Sequence, residues 1–147
     1  MFGAQIRLAA ELNLPLVIHC RNAWREIFDI LTIVNRRSTI VGVFHSWTGD
    51  WEAAKKALDL GFYISFSGIV TFKNAPDIQE VARKIPFDRM LVETDSPFLA
   101  PDPIRGSKNE PKNVKIVAQF IADLRNQTVN EVSSKTSANA RKLFNLL

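Results

Sequence analysis

Four short apolar runs, each followed by a stretch with helical spacing, constrain this chain more than any other feature of it. The runs are Leu14–His19, Thr39–His45, Phe62–Ser67 and Arg89–Thr94. Each is too short for a helix and rich in β-branched or aromatic residues, so each reads as a buried strand. Between and after them, apolar residues fall three and four apart, as on one face of a helix. These are Trp24, Ile27, Phe28, Leu31 and Val34; then Ala54, Ala57 and Leu58; then Ile78, Val81 and Ile85; then Val114, Val117, Phe120, Ile121 and Leu124. Phe2, Ile6, Ala9 and Ala10 predict an opening helix on the same grounds.

Local signals mark the helix ends. Asn22 and Asp50 stand where an N-cap belongs, and Asn74 with Pro76 predicts the start of another helix. Gly61 stands where a helix stops in positive φ, and Pro111 opens the helix after the fourth strand. Thr128 and Glu131 form a capping box for a short helix, with Ser137 starting the last one.

A strand–helix alternation of this kind implies a parallel sheet with helical crossovers, an α/β fold. The 147 residues suit one core rather than two. An open doubly wound sheet and a piece of a (β/α)8 barrel both satisfy the pattern, and periodicity does not separate them. Both place their chemistry at the C-terminal ends of the strands. The chain has only two histidines, His19 and His45, and both end apolar runs; Asp95 holds the matching place after the fourth. Either histidine alone reads as a hydrogen-bonded structural residue. Together with the aspartate they form the imidazole and carboxylate set that suits zinc, manganese or a similar divalent ion. Alternate strand residues share a face, so Glu93 lies on the side of Asp95, one step deeper. A carboxylate there serves as a structural ion-pair partner or as a proton relay behind the ligands.

These residues stand in recognisable company. The motifs Val17-Ile-His-Cys-Arg21, Phe44-His-Ser-Trp-Thr-Gly49, Gly61 to Phe72, Leu91-Val-Glu-Thr-Asp-Ser-Pro97, Arg105 to Pro111 and Asn139 to Phe144 occur in one order. In that order the chain resembles the TatD family of metal-dependent deoxyribonucleases, and its YcfH-like branch in particular. The resemblance implies a TIM-like barrel with a divalent metal site, usually of two ions, at its C-terminal mouth. It implies His19 and His45 on one ion, Asp95 on the other, and Asp95 and Glu93 as catalytic carboxylates. The metal would be zinc, manganese or magnesium, and the substrate DNA, cut at phosphodiester bonds. Arg21, Arg105, Lys108 and Asn109 fall on mouth-side loops and are candidates for holding phosphates.

The chain also departs from that family's pattern. The family's His-x-His pair and its bridging glutamate have no counterpart here, and a complete barrel takes about 250 residues. By motif, the chain corresponds to strands five to eight: half of a (β/α)8 barrel, its ring not closed, with helices outside. The expectations that follow are weak or absent activity for this chain alone, or a non-catalytic remnant serving as an interaction module. Val17, Val41, Val43 and Leu91 share the parity of the ligands, so they are expected to line an uncovered inner face that favours self-association.

Charge and composition add little. Nineteen Lys and Arg against fifteen Asp and Glu leave a net charge of +4, spread along the chain, which is weak support for a polyanionic partner. The single cysteine, Cys20, excludes an internal disulfide and a multi-cysteine zinc motif. Arg7 and Glu11 interrupt the opening segment, which does not read as a signal peptide, and no apolar run is long enough for a bilayer. The expected location is the cytoplasm, with no membrane partner.

Overall fold

The computed structural model describes residues 1–35 and 40–146. Their order is α1 (Phe2–Glu11), β1 (Leu16–Ile18), α2 (Trp24–Asn35), β2 (Gly42–Phe44), α3 (Trp51–Asp59), β3 (Tyr63–Phe66), α4 (Pro76–Lys84), β4 (Met90–Val92), α5 (Val114–Arg125) and α6 (Val129–Phe144). Thr39, expected to open the second strand, lies outside the described residues. The four strands form one sheet in chain order, and every neighbouring pair is parallel. The order nowhere reverses, so the described sheet lacks the switch point of a doubly wound fold. Ile18 stands opposite Phe44, Phe44 opposite Ile64, and Phe66 opposite Val92, which sets the four C-terminal strand ends along one edge.

The main core lies between the sheet and the helices. Ile18, Phe44, Ile64, Phe66 and Met90 point to that side, and none is more than 3% exposed. They meet Phe28 and Leu31 of α2, Ala54 and Ala57 of α3, Val81 of α4, and Val117 and Ile121 of α5 in one buried cluster. Each Val, Leu, Ile, Phe or Met side chain among them contributes about 1.5–3 kcal/mol by leaving water, the alanines less. Trp47 fills one end of this cluster. It is 1% exposed, lies 4.4 Å ring to ring from Trp24, and donates its indole N–H to the Gly49 carbonyl.

The opposite, inner face differs from expectation. Val17 and Val41 are exposed, at 60% and 46%, but Val43 and Leu91 are buried. Tyr63 and Leu143 pack with Val43 and Leu91 in a second small cluster, flanked by Ala140, so the C-terminal part of α6 covers the lower inner face. Asn139 of the same helix donates to the carbonyl oxygens of Phe87 and Met90, tying α6 to the start of β4. The first strand is likewise only half-buried, and it is an edge strand of the described sheet.

Several local expectations need correcting. Asn22 has φ 58°, a left-handed residue before α2 rather than its N-cap. The N-cap of α4 is Ala75, without a side-chain bond, and Asn74 stands outside it. A 3-10 turn, Pro111–Asn113, precedes α5. The end of the chain is one 16-residue helix, and Ser137 lies inside it. Val132, Thr136, Asn139 and Leu143 form a buried stripe along that helix, and this packing carries it through the serine-rich stretch. Leu14 completes the end of α1, its N–H bonded to the Ala9 carbonyl, so it is not part of β1. Asp50 does cap α3, accepting from the Ala53 N–H at 2.8 Å, and Thr128 with Glu131 does form the capping box.

Candidate metal centre

Strand register brings one polar residue from each of three βα units to the same edge. His19 follows β1, His45 follows β2, and Glu93 follows β4. His19 Nδ1 lies 3.1 Å from His45 Nε2, and His45 Nδ1 lies 3.2 Å from Glu93 Oε1. Which ring nitrogen donates in each contact depends on the tautomer. With Glu93 accepting from His45 Nδ1, His45 Nε2 keeps a lone pair that either His19 or a metal ion can use. The His45 and Glu93 side chains are about a quarter exposed, at 25% and 24%.

Asp95 completes the group. It lies beyond the end of β4, with φ 58°, in a turn closed by the Phe98 N–H on the Asp95 carbonyl at 2.9 Å. One ligand atom each from His45, Glu93 and Asp95 lie within 4.8 Å of one another. Two atoms bound to the same zinc ion stand at most about 4.3 Å apart, twice the bond length. A shift of about half an ångström therefore suffices for a shared ion, and one imidazole with two carboxylates suits a divalent cation. His19 adds a second imidazole beside the first.

A cavity of about 500 Å³ opens over this edge, lined by His19, Cys20, Arg21, Asn22, Ser46, Thr48, Ile69, Asp95, Phe98 and Leu99. Two polar contacts hold residues that line it, one between buried serines and one from the exposed Thr48. Ser46 and Ser67 share a hydrogen bond at 2.9 Å, and Thr48 donates to the Cys20 carbonyl. Cys20 is 5% exposed, and burial pushes its thiol pKa up against a smaller opposing backbone hydrogen bond. That favours the protonated, less reactive thiol in the metal-free chain.

The structure separates the four residues expected at the phosphates. Arg21 is exposed and lines the cavity. Arg105 is exposed but stacks its guanidinium over Phe72, 4.0 Å from the ring centre. Lys108 is exposed on the same loop. Asn109 differs from the expectation. It is 2% exposed and has all four side-chain hydrogen-bonding positions filled, two donated to the Thr94 and Phe98 carbonyls and two accepted from Glu110 N–H and Asn113. A saturated, buried amide has nothing left for a phosphate. Phe98, Ile69 and Leu99 at the cavity were not anticipated, since loop residues without periodicity leave no sequence signal of this kind.

A parallel α/β sheet with imidazoles and carboxylates gathered at its C-terminal edge is an arrangement that suits a divalent cation. The family described as TatD related DNase matches residues 1–145, and the chain belongs to that family. It is 46% identical to the metal-dependent hydrolase YabD of Bacillus subtilis, over 99% of this chain and 57% of that protein. It is 47% identical to the metal-dependent hydrolase YcfH of Escherichia coli, over 99% of this chain and 54% of that protein. The crystal structure of the Escherichia coli TatD homologue YjjV superposes with a TM-score of 0.89 at 26% identity, covering 97% of this chain and 54% of the other. The chain thus spans a little over half the length of the relatives it matches. Among the described residues, no helix is long and apolar enough to cross a membrane.

Proposed function

We propose that this chain forms strands five to eight of a TIM-like barrel and carries part of a site for metal-dependent cleavage of phosphodiester bonds in DNA. One observation carries the reading: His19, His45, Glu93 and Asp95 meet at the C-terminal edge of a parallel sheet. In it, His19, His45 and Asp95 hold the divalent ion or ions, zinc, manganese or magnesium. Glu93 fixes the His45 tautomer and accepts a proton. Arg21 at the cavity, with Arg105 and Lys108 on the neighbouring loop, meets substrate phosphates. The bound ion would lower the pKa of a water and stabilise charge on the phosphoryl oxygens. The chain's own contribution is to orient that ion and receive the proton.

The ligand set in this chain is partial, because its two histidines leave none for a His-x-His pair. Nucleotide release from single-stranded DNA by the 147-residue chain, with manganese or zinc added, is therefore expected to be weak or nil. Robust chelator-sensitive turnover abolished by Asp95→Ala would refute the partial-shell reading. Manganese binding that weakens in both His45→Ala and Asp95→Ala supports the metal reading, and no binding by the wild type refutes it. Simple amide substrates assayed beside DNA test the choice of bond. The same shortage of histidines favours a second reading, a non-catalytic interaction module, for which metal binds but no substrate is turned over.

A further inference from the structure

One buried polar side chain near the candidate centre belongs to a loop and is not among the residues lining the cavity. Asn109 Nδ2 donates to the Thr94 and Phe98 carbonyls, both at 2.7 Å, and the Asn109 N–H donates to the Pro97 carbonyl at 3.0 Å. Asp95 lies between the first two of those carbonyls, and its own carbonyl accepts from Phe98 N–H. One amide therefore grips both shoulders of the turn that presents Asp95. On its other side, Asn109 Oδ1 accepts from Glu110 N–H and Asn113 Nδ2, both at 2.9 Å, so the amide cannot flip or swing.

This grip bears on the site through one dihedral. A left-handed conformation is disfavoured for residues with a side chain, less so for aspartate, and it persists where the surroundings over-determine it. Asp95 has φ 58°. Had β4 continued extended, Asp95 would stand about 6.6 Å beyond Glu93 along the same face, at about 3.3 Å per residue. The left-handed turn instead brings its carboxylate within 4.8 Å of the His45 and Glu93 ligand atoms. We infer that Asn109 is a positioning residue for the metal centre: it holds Asp95 in its left-handed turn and so aims the carboxylate at His45 and Glu93. The inference rests on the metal reading above.

Two measurements test it on the 147-residue chain. The first is the Mn2+ affinity of the wild type, Asn109→Ala, Asn109→Ser, Asn113→Ala, Asp95→Ala and the Asp95→Ala/Asn109→Ala double variant. Asn109→Ala is expected to bind Mn2+ about 10-fold more weakly or worse. Asn109→Ser, which keeps one donor, falls between it and the wild type. Asn113→Ala removes a partner of Asn109 but leaves the grip on Thr94 and Phe98, so it lowers the melting temperature and not the affinity. In the Asp95→Ala background, removal of Asn109 has no further effect. Equal loss in Asn113→Ala, or the same additional loss without Asp95, overturns the inference in favour of a merely structural asparagine. The second measurement is the amide–Hα coupling of Asp95 in metal-free chain, by NMR, which reads φ without any ion. A wild type that fails to bind Mn2+ overturns the metal reading and the metal half of the inference. Retention of positive φ at Asp95 in Asn109→Ala, or a wild-type coupling and affinity in Asn109→Ser where Asn109→Ala does not fold, overturns the positioning role itself, whatever the wild type binds. If Asn109→Ala does not fold, Asn109→Ser carries both measurements.

Discussion

Gly68 and Gly61 stand at opposite extremes of what a glycine can be needed for, and substituting each by alanine separates the two reasons. A methyl carbon built on Gly68 would sit 1.9 Å from the Leu99 carbonyl oxygen and 3.0 Å from the Pro101 nitrogen. An ordinary carbon–oxygen contact is about 3.3 Å, so the two backbones must part by roughly 1.4 Å. Both are backbone, held by Thr71, whose hydroxyl donates to the Gly68 carbonyl and accepts from the Asp102 N–H. Neither side can yield like a flexible side chain. The expected loss is at the upper end of overpacking, about 3 kcal/mol. For a domain of this size that is a fall in melting temperature of roughly 6–12 °C. Gly61 has φ 84° and open space around its missing side chain, so Gly61→Ala meets only dihedral strain, about 1–2 kcal/mol. Gly61→Asn should recover part of that loss, because asparagine tolerates the left-handed region, whereas Gly68→Asn should be worse than Gly68→Ala. Thermal melts followed by circular dichroism decide the matter. A Gly68→Ala variant that melts with the wild type, or a Gly61→Asn variant no better than Gly61→Ala, would refute the reasoning.

Other expectations follow from single contacts. Glu131 is exposed, and its hydrogen bonds from the Thr128 N–H and hydroxyl hold its carboxyl below its ordinary value of 4.5. A depressed folded pKa gives stability that is present above the unfolded value and lost as pH falls through the folded one, so the difference in melting temperature between wild type and Thr128→Ala should shrink on acidification below about 4.5. If that difference is the same at pH 3 and pH 7, within the usual range of such carboxyls, the capping box is not charge-assisted. The buried Cys20 thiol should react slowly with a thiol reagent at neutral pH in the folded chain and quickly in denaturant; equal rates would contradict its burial. Exposed Val17 and Val41 on the inner face of the sheet should promote self-association, so light scattering should find species larger than a monomer, and a monodisperse monomer would count against that expectation.

The residues that set strand order and side were legible from sequence because burial imposes a strict period on them. The apolar runs around Ile18, Phe44, Ile64 and Leu91 marked all four strands, and the two histidines at strand ends marked the site for the same reason. Strand parity does not account for Asp95, because β4 ends at Val92 and Asp95 stands in a left-handed turn. What stayed hidden has other causes. The inner-face cover on Val43 and Leu91 comes from Leu143 and Ala140, on a helix some 50 residues beyond β4, and no local pattern announces such a long-range contact. Asn109 looked like a phosphate ligand because a polar loop residue near a site has two destinations, solvent or the backbone, and sequence does not distinguish them. Asn22 looked like a cap because asparagine suits both an N-cap and a left-handed turn, and Asn74 missed the cap by one residue. Only the chain's path chooses.

The hydrogen bond between His19 and His45 spans 26 residues of sequence, and that between His45 and Glu93 spans 48. Each of the participating side chains rides on a different strand–helix unit, and none is supported by a sequence neighbour in the cluster except Glu93 by Asp95. The centre is therefore divided in sequence and joined in space. A substitution within one unit also removes the hydrogen bond that holds its partner on another, as Glu93 holds His45. No unit holds the site by itself, so the separation between His45 and Glu93 reports directly on whether β2 and β4 are assembled in one sheet.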